Sequence, residues 1–202
     1  MPHIITISHQ KGGVGKSLIA LNLAYIFSNG LNVGLLDKDY QGSLSQIIKQ
    51  SENLKLIPEN TALGDQKSLE HDVIIVDTPP YLSNKLPEIF AVSDFVLVPT
   101  KAGIFDIMAI RATIGLIKEA QKVNNKLQAG IVFNMVKSNS AITTEIRQLL
   151  IEYDIPVMES VITDKVSYTR TIITGGILSS KDEKAKKEML SLVDELLNRI
   201  GV

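Results

Sequence analysis

Short apolar runs rich in isoleucine and valine alternate along the chain with longer segments of helical periodicity. Runs that are apolar along their whole length are typical of strands buried on both faces, as in a parallel sheet. The segments between them place apolar residues three and four positions apart, which predicts helices. This alternation predicts a three-layer α/β fold with a mostly parallel twisted sheet, helices on both faces, and ligands beyond the carboxyl ends of the strands. The predicted strands are 3–8, 32–37, 72–77, 95–99, 129–136 and 155–160, and the predicted helices are 16–29, 105–123 and 141–153.

Length and composition indicate one domain that spans residues 1–202. The chain of 202 residues is 45% hydrophobic, which is enough to build a substantial core. Its net charge of −1 argues against a general attraction to nucleic acid or anionic lipid, so any polyanion site must be a local patch. The absence of cysteine excludes disulfides and thiolate metal sites within this chain, and the absence of a basic leader or a long apolar run predicts a cytoplasmic protein. The least regular stretch, 38–71, contains one short extra strand at KLIP.

The stretch HQKGGVGKS, residues 9–17, lies between the first predicted strand and the first predicted helix. Its three glycines allow the backbone to turn N–H groups inward around phosphate oxygens, at the positive end of the helix. Lys16 is expected to reach the β- and γ-phosphates, and Ser17 to ligate Mg²⁺. The stretch departs from the pattern G-x-x-x-x-G-K-[ST] because Gln10 replaces the first glycine, and a second lysine, Lys11, follows it. The predicted phosphate-binding residues are Gly12, Gly13, Val14, Gly15, Lys16 and Ser17.

Carboxylates are expected at the ends of two apolar strands, on the same edge of the sheet. IIVDTPP ends its strand in Asp77, at the place where P-loop proteins keep the carboxylate that holds Mg²⁺ through water. LLDKDYQGS offers Asp37 and, just past the strand end, Asp39, which can turn towards the γ-phosphate. For Asp39 taken alone, a carboxylate that caps a polar turn is the alternative. The loop and the two acidic stretches together favour a magnesium-nucleotide site.

KGGVGKS, LLDKDYQ and IIVDTPP together resemble the ParA/MinD family of deviant Walker ATPases, and the resemblance runs over nearly the whole chain. FVLVPTKAGIFDIMA is similar to the proline-to-aspartate stretch of that family, here Pro99 to Asp106. KVSYTRTIITGGIL followed by KAKKEML resembles its usual C-terminal ending. The length of the chain looks most like that of the small ParA proteins that partition plasmids and other cargo. The resemblance therefore implies a P-loop ATPase that acts on the position of a cargo.

The resemblance implies a role for each residue of the motifs. Lys11 matches the signature lysine that reaches across a nucleotide-sandwich dimer to the partner's phosphates, and Lys16 matches the ordinary phosphate lysine. Asp39 matches the aspartate that positions the attacking water, so Lys11, Lys16 and Asp39 are the implied catalytic residues. Asn134 resembles the family's adenine-side asparagine, whose amide offers both a donor and an acceptor. The implied cofactors are ATP and Mg²⁺, with the metal near Ser17, Asp37 and Asp77.

Three positions depart from the family pattern. Tyr40 replaces the proline of D-x-D-P-Q, and a residue that does not fix φ leaves this segment less constrained, which affects the expected hydrolysis rate. Ser17 replaces the commoner threonine but keeps the hydroxyl ligand. Lys165 stands where a family arginine is often found, which weakens the transfer of any specific DNA contact.

Four functions compete for this sequence. The first is a ParA-like ATPase that forms an ATP-dependent homodimer, binds DNA without sequence preference, and positions plasmid, chromosome or other cargo with a centromere-binding or adaptor protein of ParB type. Its candidate DNA contacts are Lys137, Arg147, Lys165, Arg170 and Lys181.

The other three functions each lack a required feature or conflict with a residue. A MinD-like membrane ATPase needs a C-terminal targeting helix, but the polar face of EMLSLVDELLNRIGV holds as many acidic as basic residues, which favours packing against the domain. A ligase of the dethiobiotin synthetase type needs a dedicated substrate pocket, which the sequence does not reveal. Asp39 argues against a scaffold that binds ATP without hydrolysing it.

Overall fold

The structure, a computed structural model, describes residues 1–39, 44, 54–137 and 142–201. Its strands are β1 (His3–Ile7), β2 (Val33–Asp37), β3 (Lys55–Leu56), β4 (Val73–Asp77), β5 (Phe95–Thr100), β6 (Gln128–Val136) and β7 (Val157–Thr163). Its helices are α1 (Lys16–Phe27), α2 (Leu86–Val92), α3 (Ile104–Val123), α4 (Ile142–Leu150), α5 (Val166–Thr174) and α6 (Glu183–Ile200). Short 3₁₀ turns span Gln66–Ser68, Ile151–Tyr153 and Ile177–Ser179.

Within the described residues the strands form one seven-stranded sheet in the order β3-β2-β4-β1-β5-β6-β7. Every strand pair is parallel, as the unbroken apolar runs predicted. The strands β2, β3 and β4 all lie on one side of β1, with β4 between β1 and β2. The later strands β5, β6 and β7 lie on the other side of β1. The strand order therefore reverses at β1, and the crevice at its carboxyl end is where such a sheet binds ligands.

Successive residues of each central strand enter opposite layers of the core. In β1, Ile5 packs in a cluster with α1 and α6, whereas Ile4 packs in a second cluster with α2 and α3. Leu35 and Leu36 of β2 divide in the same way. Because side chains alternate across a strand, burial on both faces requires apolar residues at every position. This requirement explains the continuous apolar runs and confirms the predicted three-layer architecture.

The apolar face of α6 packs into the core. Met189, Leu192, Val193 and Leu196 are all buried there, and Ile200 is partly buried against the same cluster. The amphipathic pattern of this helix is therefore used for packing within the domain, as its charge balance favoured. Among the helices of the described residues, none has both the length and the apolar content that a membrane crossing requires.

The predicted strands are confirmed, including the short one at 55–56, with shifts of a few residues at their ends. β7 extends to Thr163, beyond the predicted end, because an edge strand with one solvent face carries polar residues such as Glu159 that interrupt the apolar run. The helices α2 and α5 were not among the predicted segments, because α2 has only seven residues and α5 is rich in β-branched valine, threonine and isoleucine, which favour strands. Two predicted features lie outside the described residues, namely Tyr40 and the start of the third helix at Ala141.

Candidate functional site

The loop between β1 and α1 lies at the point where the strand order reverses. Gly13 and Gly15 adopt left-handed conformations, with φ of 70° and 86°, which residues with a side chain rarely adopt. Gly15 is the N-cap of α1 and has no side chain to cap it. The first N–H groups of α1 therefore face the loop without a capping side chain, at the positive end of the helix dipole. This arrangement favours a bound anion such as a phosphate.

Residues at the end of β6 pack against this loop. The Asn134 amide nitrogen donates a 2.7 Å hydrogen bond to the carbonyl oxygen of Val14. A Cβ atom at Gly15 would lie 2.2 Å from the same nitrogen and 3.2 Å from the Met135 methyl carbon, so only glycine fits there. Met135 itself has a φ of 55°, which shows that the backbone turns sharply at this contact. The structure thus places Asn134 against the loop, and its role beside adenine stays a prediction.

Lys16, the first residue of α1, lies almost fully buried beneath the loop. Its ammonium group donates to the carbonyl oxygen of Lys11 at 3.4 Å. Burial lowers the pKa of Lys16, and the carboxylates of Asp77 and Asp39 oppose that shift. The predicted phosphate lysine is therefore held inside the loop, close to Asp77 and Asp39.

The carboxylates predicted from the strand ends lie side by side. Asp37 and Asp77 are directly paired in the register of β2 and β4. The backbone N–H of Asp39 donates to the Asp37 carboxylate at 3.0 Å, which fixes the turn that follows β2. These contacts place the ends of the two acidic stretches side by side, and Asp77 and Asp39 lie near enough to Lys16 at the loop to act on its pKa.

Asp77 is the most buried of these carboxylates. Burial raises its pKa to about 7, with smaller contributions from the like charges of Asp37 and Asp39, while the Ser17 hydroxyl and the Lys16 ammonium group lower it. Neither carboxylate oxygen makes a hydrogen bond of ordinary geometry with a described residue, although the Ser17 hydroxyl is near. A buried carboxylate whose two oxygens lack hydrogen bonds of ordinary geometry would be stabilised in its charged form by a bound cation.

The donor set around Asp77 fits Mg²⁺. Mg²⁺ prefers hard oxygen ligands, and proteins often hold it with one or two side chains while water and substrate phosphates complete the octahedron. Ser17 and Asp77 supply a hydroxyl and a carboxylate of this kind, with Asp37 beside them. The part of the chain that the structure describes contains no group of three or more His, Cys, Asp or Glu residues placed to hold a metal ion by themselves.

Lys11 is anchored at the mouth of the loop. Its backbone N–H donates to the Nδ1 atom of His9 at 2.8 Å, and its ammonium group lies 2.7 Å from a carboxylate oxygen of Asp106. Burial lowers the pKa of His9 to about 4. The positive charges of Lys16 and Lys11 also lower this pKa, and the negative charge of Asp106 opposes the shift. Neutral His9 can therefore accept the Lys11 N–H. Sequence reasoning assigned no role to His9 or Asp106, although Asp106 closes the proline-to-aspartate stretch.

The candidate DNA contacts separate into two groups. The side chain of Lys165 is mostly buried and lies 3.2 Å from Asp182 and 3.6 Å from Glu188, so it holds α5 to α6. Arg147 lies over the Phe133 ring and forms an ion pair of 3.7 Å. The remaining candidates, Lys137, Arg170 and Lys181, are exposed.

Arg170 and Lys181 line the same groove, of about 610 Å³, between α5 and the start of α6. Neither forms an ion pair with a described residue. Their charges are therefore available to a polyanion, unlike those of Lys165 and Arg147.

The comparisons with known proteins agree with this geometry. Maintenance of carboxysome distribution protein A of Halothiobacillus neapolitanus is 26% identical over 216 residues, which cover 96% of this chain and 95% of that protein. Protein ParA of Rhizobium radiobacter is 28% identical over 202 residues, covering 90% and 87%. A plasmid partition protein of Borrelia burgdorferi B31, solved with AMPPNP, shares the fold with a TM-score of 0.78 at 22% identity, covering 98% of this chain and 100% of that one. The model of the CobQ/CobB/MinD/ParA nucleotide binding domain matches residues 5–176, and the chain therefore belongs to that family of P-loop nucleotide-binding proteins.

Proposed function

We propose that this chain, as a single domain of residues 1–202, is a ParA-type ATPase that uses ATP as a dimerisation switch to position a cargo. The observation that carries the proposal is the convergence of a phosphate loop with two lysines and three aspartates at one crevice of the sheet. One relative is named for carboxysome distribution and one structural neighbour for plasmid partition, which supports a cargo such as a plasmid, a chromosome or another cellular body. A centromere-binding or adaptor protein of ParB type would link the switch to that cargo.

The loop supplies most of the contacts that bind ATP before hydrolysis. The backbone N–H groups from Gly12 to Ser17 surround the phosphate oxygens, and Lys16 neutralises the β- and γ-phosphates. Ser17 and Asp77 would hold Mg²⁺ with Asp37 beside them, and the metal would neutralise charge on the phosphates. Asn134, below the loop, keeps the Val14 carbonyl in place and lies on the side where the adenine is expected.

The chemistry needs a water molecule in line with the γ-phosphate and positive charge on the leaving side. Asp39 orients the attacking water, while Lys11 of a second subunit adds positive charge to the phosphates. Because that lysine comes from another chain, the isolated protein has an incomplete site and hydrolyses slowly. A partner protein that stabilises the closed dimer would stimulate hydrolysis and release.

The charge distribution supports our proposal that the dimer binds DNA. A chain with a net charge of −1 has no general attraction to DNA, but one groove contains both Arg170 and Lys181. The carboxylate that also lines this groove, Asp182, is paired with Lys165, so the two basic side chains form a local basic patch. A dimer presents this patch twice, so binding becomes dependent on ATP. Because contact with phosphates releases counterions, such binding is indifferent to sequence and falls steeply with salt.

The membrane alternative receives no support from α6. The apolar residues that would enter a lipid surface are buried against the sheet, and exposing them would disrupt the core. We therefore propose nucleoid DNA, and not a membrane, as the surface on which a cytoplasmic dimer resides.

Light scattering and DNA retention on the full chain test the proposal. With Mg²⁺ we expect a dimer in AMPPNP and a monomer in ADP, and DNA retention only in the AMPPNP state. Asp39→Ala should bind ATP, dimerise and retain DNA while releasing no phosphate, since a carboxylate that orients water acts mainly in the transition state. Equal retention with ADP and AMPPNP, or turnover on the order of 10 s⁻¹ by the isolated monomer, would contradict the switch.

A further inference from the structure

In the single chain, Lys11 already has a carboxylate partner. Its ammonium group lies 2.7 Å from the Oδ1 atom of Asp106. No other described residue donates a hydrogen bond to that oxygen. The backbone of Lys11 is fixed separately, through its N–H to His9 and through its carbonyl oxygen to Lys16. The side chain can therefore change partner while the loop keeps its shape.

Asp106 is held more firmly than the lysine it binds. It lies in the first turn of α3, where the positive end of the helix stabilises a carboxylate. Its backbone N–H donates to Gly103, and a Cβ atom at Gly103 would lie 2.7 Å from its Oδ2 atom, so the carboxylate fits closely over that glycine. The side chain of Asp106 is only 11% exposed, whereas that of Lys11 is 41% exposed. The cation is thus the member of the pair that can leave.

The first two turns of α3, which carry Asp106 on their buried side, expose large apolar side chains to solvent. Ile104, Phe105 and Met108 of the same two turns of α3 are exposed by 62%, 79% and 67% of their surface. A contiguous set of large exposed apolar side chains on a soluble protein marks a surface that another molecule covers. Beside the nucleotide loop, a second copy of this chain is the molecule that the proposed function requires.

We propose that Asp106 is an internal latch that holds Lys11 in the monomer and competes with the phosphates of the partner's nucleotide for it. The proposal rests on the proposed function, in which Lys11 acts on the other subunit. One ammonium group cannot stay 2.7 Å from Asp106 and also reach across a dimer interface, so dimerisation includes the exchange of one anion for another. The triphosphate offers more negative charge than one carboxylate, and ADP offers less than ATP. Asp106 therefore raises the dissociation constant of the dimer, and it makes dimerisation depend more strongly on the γ-phosphate.

Asp106→Asn tests the latch because it removes the charge and keeps the shape. With AMPPNP and Mg²⁺, sedimentation of the full chain should give a dimer dissociation constant about fivefold lower than that of the wild type, the size expected for a partly exposed ion pair. Glu119→Gln is the matched control, because it removes the 2.6 Å pair with Lys122 near the other end of the same helix. It should leave the dissociation constant unchanged. Asp106→Ser, which also suits the first turn of a helix, repeats the test if the asparagine variant is poorly folded.

Labelling of the nucleotide-free monomer examines the ion pair without any dimer. Acetylation of Lys11, followed by mass spectrometry, should be slower in the wild type than in Asp106→Asn and should not respond to Glu119→Gln. Equal acetylation rates in the wild type and Asp106→Asn would overturn the latch, and so would an Asp106→Asn dimer that is as weak as the wild type or weaker.

The double variant Lys11→Ala/Asp106→Asn isolates the role of Lys11. It should stay as monomeric as Lys11→Ala, since the latch acts only through Lys11. If Asp106→Asn restores dimerisation in the Lys11→Ala background, its effect does not pass through the ion pair and the latch is overturned. Failure of the proposed function is a separate result, a Lys11→Ala protein that dimerises with AMPPNP as readily as the wild type.

Discussion

The side-chain amide of Asn134 donates a 2.7 Å hydrogen bond to the carbonyl oxygen of Val14 and thereby ties the end of β6 to the nucleotide loop. Both groups are buried, so neither can replace the lost bond with water. The loop between β1 and α1 is therefore held from a strand two positions away in the sheet. The contact couples a residue expected to lie near adenine to the residues expected to bind phosphate.

Asn134→Ala should weaken both stability and nucleotide binding. Leaving the Val14 carbonyl without a donor costs about 1–3 kcal/mol in free energy of unfolding. The same loss allows the loop to move, so we expect affinity for AMPPNP to fall about tenfold in a calorimetric titration. Asn22→Ala is the control, because Asn22 is equally buried but bonds Leu18, Thr171 and Ile177 away from the loop. It should destabilise the protein and leave affinity unchanged. Equal affinity losses in the two variants would show that the effect is general.

The three glycines of the loop should differ in their tolerance of alanine. Gly15→Ala combines a φ of 86° with a Cβ atom 2.2 Å from the Asn134 nitrogen, and we expect a loss of about 3 kcal/mol. Gly13→Ala has the left-handed φ of 70° but open space, and should lose about 1 kcal/mol. Gly12→Ala meets its nearest atom at 3.9 Å and should be nearly neutral.

Urea denaturation of the nucleotide-free proteins measures these differences. The order of stability, with Gly12→Ala the most stable and Gly15→Ala the least, depends only on the backbone and the local space. If Gly13→Ala proves as unstable as Gly15→Ala, the contact with Asn134 contributes nothing beyond the left-handed conformation.

The sequence specified the sheet because burial on both faces leaves a direct signal. Ile4 and Ile5 enter different layers of the core, so both must be apolar, and the run can be read without the structure. The motif also located the loop and the aspartates, since parallel strands bring their carboxyl ends to one edge. These features depend on local pattern and on a general rule of topology.

The partners of individual side chains could not be read in the same way. Asp106 contacts Lys11 because α3 begins at Ile104, directly after β5, beside the loop that follows β1. Asn134 contacts Val14 because the backbone turns sharply at Met135. Each contact depends on the position at which an element ends, to within one residue, and periodicity does not determine ends so closely.

The titration of His9 should make the protein less stable in mild acid. Burial and nearby lysines lower the pKa of His9 from 6.5 to about 4 in the folded chain. Between these values the unfolded chain binds a proton that the folded chain does not, so stability falls as the pH decreases from about 6.5 to about 4. We expect a contribution of about 2 kcal/mol, after allowing for solvent screening.

His9→Asn removes the titrating group and keeps an acceptor for the Lys11 N–H. Urea denaturation at several pH values should give a shallower loss of stability below pH 6.5 for His9→Asn than for the wild type. Asp77, whose raised pKa has the opposite effect on stability in this range, is present in both proteins, so it cancels in the difference. If the curves of stability against pH are parallel for the two proteins, folding does not lower the pKa of His9 and the prediction is wrong.

The basic residues of the C-terminal region should divide into DNA contacts and structural cations. Arg170 and Lys181 are exposed in one groove, whereas Lys165 is bound by Asp182 and Glu188. We expect Arg170→Ala/Lys181→Ala to reduce DNA retention in the AMPPNP state about tenfold and to lower the slope of log affinity against log salt by about two for each protomer, because two phosphate contacts are lost. Thermal stability should hardly change, since surface charges contribute little.

Lys165→Ala should behave in the opposite way. Removing the ammonium group leaves Asp182 and Glu188 close together and partly buried without a cation, so the melting temperature should fall by several degrees. The salt slope should stay as in the wild type, because Lys165 is not available to phosphates. Lys126→Ala, an exposed lysine after α3, is the control for a general loss of positive charge and should change neither property. A salt slope that falls equally in Lys165→Ala and in the groove variant would place the DNA on a wider surface than this groove.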